Sequence, residues 1–134
     1  DPQRRALVLQ AIEQARASST MRFADLVRAA LHQMVLSGTA SARNVALLFG
    51  IHERTLRKRL TAEGTGLQPL IDQTRFELAK QLLQNTELPL AEIAAALHFA
   101  DAAVFSRAFR GWAKISPRAW RVRRDPHTGA RGAR

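Results

Sequence analysis

The sequence predicts an all-α protein of short helices. Three observations carry that expectation. Apolar residues recur three and four apart along nearly the whole chain, and no run alternates as a strand would. Tyr is absent and β-branched residues are sparse, which removes much of the usual strand material. Gly and Pro gather at Gly38, Gly50, Gly64, Gly66, Pro69, Pro89, Gly111, Pro117 and the last ten residues, and they cut the pattern into helix-sized pieces.

The elements follow in chain order. Residues 4–17 are expected to form a first helix with Val8, Ile12 and Ala15 on one face. A stronger helix over 22–36 carries a broad apolar stripe of Phe23, Leu26, Val27, Ala30, Leu31, Met34 and Val35. Ser41 is an N-cap for a short helix over 41–48, because its hydroxyl can accept from the free N–H groups of the first turn. Gly50 ends that helix with a residue that tolerates positive φ. A fourth helix spans about 53–63, and Gly64-Thr65-Gly66 breaks the chain after it. A long helix over about 68–84 puts Leu70, Ile71, Thr74, Leu78 and Leu82 on one side, with Pro69 tolerated in its first turn. Pro89 precedes a short helix over 90–97, and Asp101 caps a helix that runs to about 113. Ser116-Pro117 opens a last helix ending near Arg123, and residues 125–134 are expected to be disordered.

Composition narrows the function. The 134 residues include 21 Lys and Arg against 11 Asp and Glu, a formal net charge of +10. Such an excess seeks a polyanion, and nucleic acid is the first candidate. Cys is absent, which excludes a disulfide scaffold, a thiolate metal site and a cysteine nucleophile. No apolar run approaches the roughly 18 residues of a membrane span and no signal-peptide pattern opens the chain, so no membrane partner and a cytoplasmic location are expected. The chain begins with Asp1 and is expected to be a piece of something longer. His32, His52, His98 and His127 have no ligand spacing and no carboxylate companions, so no metal is expected. There is no nucleophile-base arrangement, no Gly-rich phosphate loop and no carboxylate pair, so neither catalysis nor a cofactor is expected.

A degenerate internal repeat is the most informative feature. Val45-Ala46-Leu47-Leu48-Phe49-Gly50 matches Ile93-Ala94-Ala95-Ala96-Leu97-His98, at an offset of 48. Leu56-Arg57-Lys58-Arg59-Leu60 matches Phe105-Ser106-Arg107-Ala108-Phe109 at an offset of 49, so the second copy has one more residue in its turn. Each copy is a short helix, a tight turn and a basic amphipathic helix, the form of a helix-turn-helix. Ala46 and Ala94 are small enough to let the two helices cross closely. Apolar residues at both ends of the second helix anchor it and leave its outer face free for DNA. The helix between the copies, about 25 Å long at 17 residues, can hold two recognition helices near one DNA turn apart, about 34 Å.

At this point the chain resembles the DNA-binding domain of the AraC/XylS family of bacterial transcription regulators. The second half carries the family signature in Leu90-Ala91-Glu92-Ile93-Ala94, Phe99, Phe105-Ser106-Arg107-Ala108-Phe109-Arg110, Trp112 and Ser116-Pro117-Arg118-Ala119-Trp120-Arg121. The first half matches at Val45-Ala46, Gly50, Arg54-Thr55-Leu56-Arg57-Lys58-Arg59-Leu60 and Glu63-Gly64-Thr65. The resemblance implies about seven homeodomain-like helices in two helix-turn-helix lobes joined by a linker helix. The implied parts are a linker or residual helix of an N-terminal domain at 1–20, a first lobe at 21–66, a linker helix at 67–86, a second lobe at 87–124 and a disordered tail at 125–134. It also implies a separate effector-binding or dimerisation domain in the full protein, N-terminal to this piece. Two positions depart from the family: His98 and Lys114 stand where Gly is usual, and each substitution is expected to cost stability or alter its turn.

The residues for the work follow. Arg54, Arg57 and Lys58 lie one, four and five positions after Glu53, on one helical face. Arg can grip the O6 and N7 of guanine with two hydrogen bonds. By resemblance these three face the bases in the first lobe, and Ala102, Ala103, Ser106 and Arg107 face them in the second. The two alanines offer only methyl contacts, for example to thymine, so the second lobe is expected to discriminate less sharply. Between positions 104 and 124 there are seven basic residues and no acid. Arg110, Lys114, Arg118, Arg121, Arg123 and Arg124 are the phosphate candidates there. In the first lobe, His52 is a candidate for a phosphate contact or for capping the next helix, and Arg59 for a phosphate contact or a surface role. The N-terminus of the linker helix near Leu67 can offer N–H groups to a further phosphate. Phe99, Phe105, Phe109, Trp112 and Trp120 read as core.

The expected function is sequence-specific binding of double-stranded DNA for a transcription regulator. RNA polymerase is carried as a second candidate partner. The fragment is expected to be monomeric, and the full protein is a candidate dimer through the N-terminal domain. Two alternatives stay open: a basic helical module that binds an acidic protein, and a sequence-independent nucleic-acid binder.

Overall fold

The computed structural model describes residues 1–19 and 22–123, with backbone only over 12–19. Eight helices lie among the described residues: α1 (Pro2–Ser19), α2 (Phe23–Ser37), α3 (Ala42–Phe49), α4 (Glu53–Ala62), α5 (Leu67–Asn85), α6 (Leu90–Ala96), α7 (Ala102–Ala113) and α8 (Pro117–Arg123). No strand occurs among those residues. The expected tail at 125–134 lies outside them.

The starts of α3, α7 and α8 are set by side chains that satisfy first-turn N–H groups. Ser41 Oγ accepts from the N–H of Asn44 at 3.1 Å, Asp101 Oδ1 from that of Val104 at 2.8 Å and Ser116 Oγ from that of Ala119 at 3.1 Å. The two copies of the repeat turn alike. Gly50 and Ile51 donate to the carbonyls of Leu47 and Ala46; His98 and Phe99 donate to those of Ala95 and Ala94. His98, at φ 63°, keeps the left-handed backbone that Gly50 has at φ 66°. Lys114 likewise ends α7 at φ 68°, and its Nζ donates to the Gly111 carbonyl at 3.0 Å. The turn geometry is therefore retained at both departures, and their side chains carry the strain of a conformation that favours Gly.

The buried residues form one continuous core through which α5 runs. α2 packs along α5, α3 crosses α4, α6 crosses α7, and both α7 and α8 lean on α5. Ala46 and Ala94 are buried inside their crossings, as close approach demands. α1 is exposed wherever its side chains are described, including Leu7, Val8 and Leu9.

Two expectations about the core change. Leu82 is only half-buried and Leu83 is fully buried, because the buried face of α5 rotates. Leu70, Thr74 and Leu78, then Ala79 and Leu83, step by four, and each step turns about 40° past a revolution. Leu26 falls outside the α2 stripe and is exposed, since the packed set is Ala24, Val27, Leu31 and Val35. The aromatic residues read as core do pack there: Phe105 and Phe109 are fully buried, and Phe99 and Trp120 are half-buried against the core, with Trp112 half-buried beside them. Three of them pack around Phe76, whose ring lies 5.5 Å from Phe109, 5.7 Å from Trp112 and 6.4 Å from Trp120. Phe76 thereby fastens α7 and α8 to α5.

Candidate nucleic-acid interface

The first cationic surface belongs to α4. Leu56 and Leu60, one turn apart, are both buried and fix the inner face of this helix. The 3.6-residue period then turns Arg54, Arg57 and Lys58 outward, and all three are exposed. Arg57 and Glu53 line a groove of about 370 Å³ with Ser41 and Ala42 at the start of α3 and Leu67 and Gln68 at the start of α5. The N-terminus of α5, uncapped by any side chain at Gly66, therefore opens beside Arg57. This juxtaposition joins two candidates that are separate in the sequence.

His52 occupies the N-cap position of α4, but its side chain makes no capping hydrogen bond. The capping half of its expectation is corrected: its ring is not the group that satisfies the first turn. Arg59 is exposed, and its guanidinium stands over the Phe23 ring at 5.2 Å from the centroid. Phe23 in turn meets Phe49 edge-on at 5.3 Å, so Arg59 covers a small aromatic pair between α2 and α3.

The second cationic surface is built from α7 and α8. Phe105 and Phe109 anchor α7, leaving Ala103, Arg107 and Arg110 exposed and Ala102 and Ser106 half-buried. Arg107 and Arg110 share a cavity of about 260 Å³ with Arg118 of α8, floored by Leu90, Ser106, Ser116 and Pro117. Three arginines from two helices thus line one cavity. The sequence marks each of them but does not show their meeting, which depends on how α8 folds back. Arg123 is exposed at the end of α8. Arg124 lies outside the described residues.

Arg121 is placed differently from its neighbours. It is half-buried, with Nε 3.3 Å from the Leu83 carbonyl and Nη2 3.4 Å from the Thr86 carbonyl. The guanidinium thus joins α8 to two carbonyls at the C-terminal end of α5, where the helix dipole favours a positive charge. Among the described residues, no group of three or more His, Asp or Glu can hold a metal ion, and no helix is long and apolar enough to cross a membrane.

Two tandem helix-turn-helix units, each with a cationic second helix held by buried anchors, define a DNA-binding domain. Comparison with known proteins agrees. A helix-turn-helix domain family matches residues 45–123. The ornithine utilization regulator of Pseudomonas aeruginosa is 46% identical over 68 residues, covering 51% of this chain and 20% of that protein. The HTH-type transcriptional regulator VirS of Mycobacterium tuberculosis is 28% identical over 122 residues, covering 91% of this chain and 36% of that protein. Among solved structures, an AraC-type transcriptional regulator of Chromobacterium violaceum superposes with a TM-score of 0.67 at 26% identity, over 74% of this chain and 89% of that one. The chain belongs to the AraC/XylS family of transcription regulators and is a DNA-binding domain of that type. These relatives are regulators and not enzymes, and the chain spans about a fifth to a third of the two curated ones named here.

Proposed function

We propose that this domain reads double-stranded DNA sequence-specifically, with α4 and α7 in two successive major-groove segments on one face of the duplex. The observation that carries the reading is the repeat itself: two basic helices, each pinned by two buried residues, held on one rigid helix. α5 has 19 residues and is about 28 Å long, close to the roughly 34 Å of one DNA turn. Arg54, Arg57 and Lys58 read bases from α4. On α7, Arg107 reads with Ser106, while Ala102 and Ala103 offer methyl contacts. His52, Arg59, Arg110, Lys114, Arg118, Arg121 and Arg123 hold phosphates, Arg121 while also seating α8 on α5. The parts of the chain are those expected above: 1–20 a connection to a further domain, 21–66 and 87–124 the two lobes, 67–86 the linker helix. The domain acts as a monomer in the bacterial cytoplasm. An N-terminal domain of the full protein supplies effector binding or dimerisation, and RNA polymerase is the second partner.

Selection of binding sites from random duplexes at near-physiological salt tests this. Two conserved blocks about 10 base pairs apart are the expected result. A single block would confine base reading to α4 and leave α7 to grip the backbone. No enrichment by folded protein would overturn the reading in favour of an acidic protein partner or sequence-independent binding.

A further inference from the structure

The turn of the second lobe touches the first lobe directly. His98 Nε2 lies 2.9 Å from the carbonyl oxygen of Leu36 in the last turn of α2, across 62 positions of sequence. A carbonyl only accepts, so Nε2 carries the hydrogen and donates it. The acceptor is one of the carbonyls that a helix leaves unpaired at its C-terminal end. The imidazole also lies against Gly38, the αL residue that ends α2 at φ 74°. A Cβ on Gly38 would stand 2.8 Å from His98 Cε1 and 3.1 Å from both ring nitrogens. The ring thus occupies the space that a side chain at position 38 would take.

The next residue holds the same turn from another side. The Phe99 ring lies under the Arg75 guanidinium of α5 at 4.8 Å, and 5.4 Å from Phe105 of α7. At the matching position of the first lobe's turn, a Cβ on Gly50 would meet nothing within 4 Å. His98 also holds a left-handed backbone that a glycine would adopt without strain, so the residue's use lies in its side chain.

We infer that His98 is a positioning residue: it clasps the second lobe's turn to the C-terminal end of α2 and fixes the angle between the two recognition helices, and so the spacing of the DNA blocks they read. The inference rests on the two-lobe reading above. α5 alone sets the distance between the lobes, but a helix contacted along its side leaves each lobe some rotation about it. A contact that joins the lobes without passing through α5 removes that rotation.

The test compares the wild-type domain with His98→Gly and His98→Asn. Glycine relieves the backbone strain, and asparagine tolerates it; neither side chain reaches Leu36. Binding is measured on duplexes with the two selected blocks at their preferred separation, and one base pair closer or farther. Wild type is expected to lose about tenfold or more on either change, the scale of a mismatched base pair. Both variants are expected to lose less than about threefold, with thermal stability unchanged or higher for His98→Gly. A full spacing penalty in both variants overturns the inference. Backbone amide residual dipolar couplings of the free domain give a second readout that needs no DNA. In wild type, α2–α4 and α6–α7 are expected to fit one alignment tensor, and in His98→Gly two. If selection yields no paired blocks, the two-lobe reading fails, and the couplings decide the clasp by themselves. One shared tensor in His98→Gly overturns it.

Discussion

On the proposed reading, base recognition by the first lobe turns on Arg54 and Arg57, each exposed on a helix whose inner face is locked by Leu56 and Leu60. Either Arg54→Ala or Arg57→Ala is expected to weaken the best site by about 1–3 kcal/mol and to relax preference at one base. Titrations against single-base variants of the selected site check this, and an unchanged preference in both variants would remove α4's outer face as the reader. Arg121 calls for a different experiment. Its guanidinium serves two carbonyls at the end of α5, so Arg121→Ala is expected to lower folding stability by about 1 kcal/mol while weakening all DNA sequences alike. Urea unfolding separates the two effects. Arg121→Lys, which keeps charge but not the fork, should retain much of the DNA affinity and little of the stability. The sequence marks Arg121 as one cation among seven in a run free of acids; only the return of α8 onto α5 singles it out.

Among the elements, α7 shows how local rules and packing combine. Asp101 starts it, Phe105 and Phe109 seat it, and Lys114 ends it at φ 68°. The cap, the amphipathic period and the Gly-like ending are all legible in the sequence, and the observed Ala102–Ala113 follows the expected bounds. Lys114 keeps a conformation that costs an L-residue roughly 1–2 kcal/mol. Lys114→Gly is therefore expected to raise stability by about 1 kcal/mol, read as a higher Tm, while removing one phosphate candidate. A lower Tm would mean that the Nζ bond to the Gly111 carbonyl outweighs the strain. α5 was less legible. Its apolar stripe is expected to stay in line, yet its buried face rotates to Ala79 and Leu83, because steps of four residues turn about 40° past each revolution.

For the whole molecule, the candidate DNA-contacting residues fall on two surfaces, one per lobe, and Arg107, Arg110 and Arg118 line a single cavity on the second. Each phosphate neutralised releases counterions, so affinity is expected to fall linearly in a plot of log K against log salt. Arg118→Ala is expected to reduce that slope by about one and to weaken specific and random duplexes equally. Parallel salt titrations on the selected site and on random DNA check both statements, and a loss confined to the selected site would make Arg118 a base reader.

The sequence by itself determined the all-α class, the tandem helix-turn-helix repeat, the family resemblance and the cationic helices. Those features are local: period, capping chemistry, left-handed turn positions and charge are properties of neighbours along the chain. The tertiary structure decided what depends on residues far apart. It gathered three arginines from α7 and α8, set the N-terminus of α5 beside Arg57, turned Arg121 onto α5, packed Phe109, Trp112 and Trp120 around Phe76, and laid His98 against Gly38. Pairings of this kind follow from how helices cross and how far each face rotates. A repeat with an offset of 48 records that two copies exist, and it carries no information about the angle at which they meet.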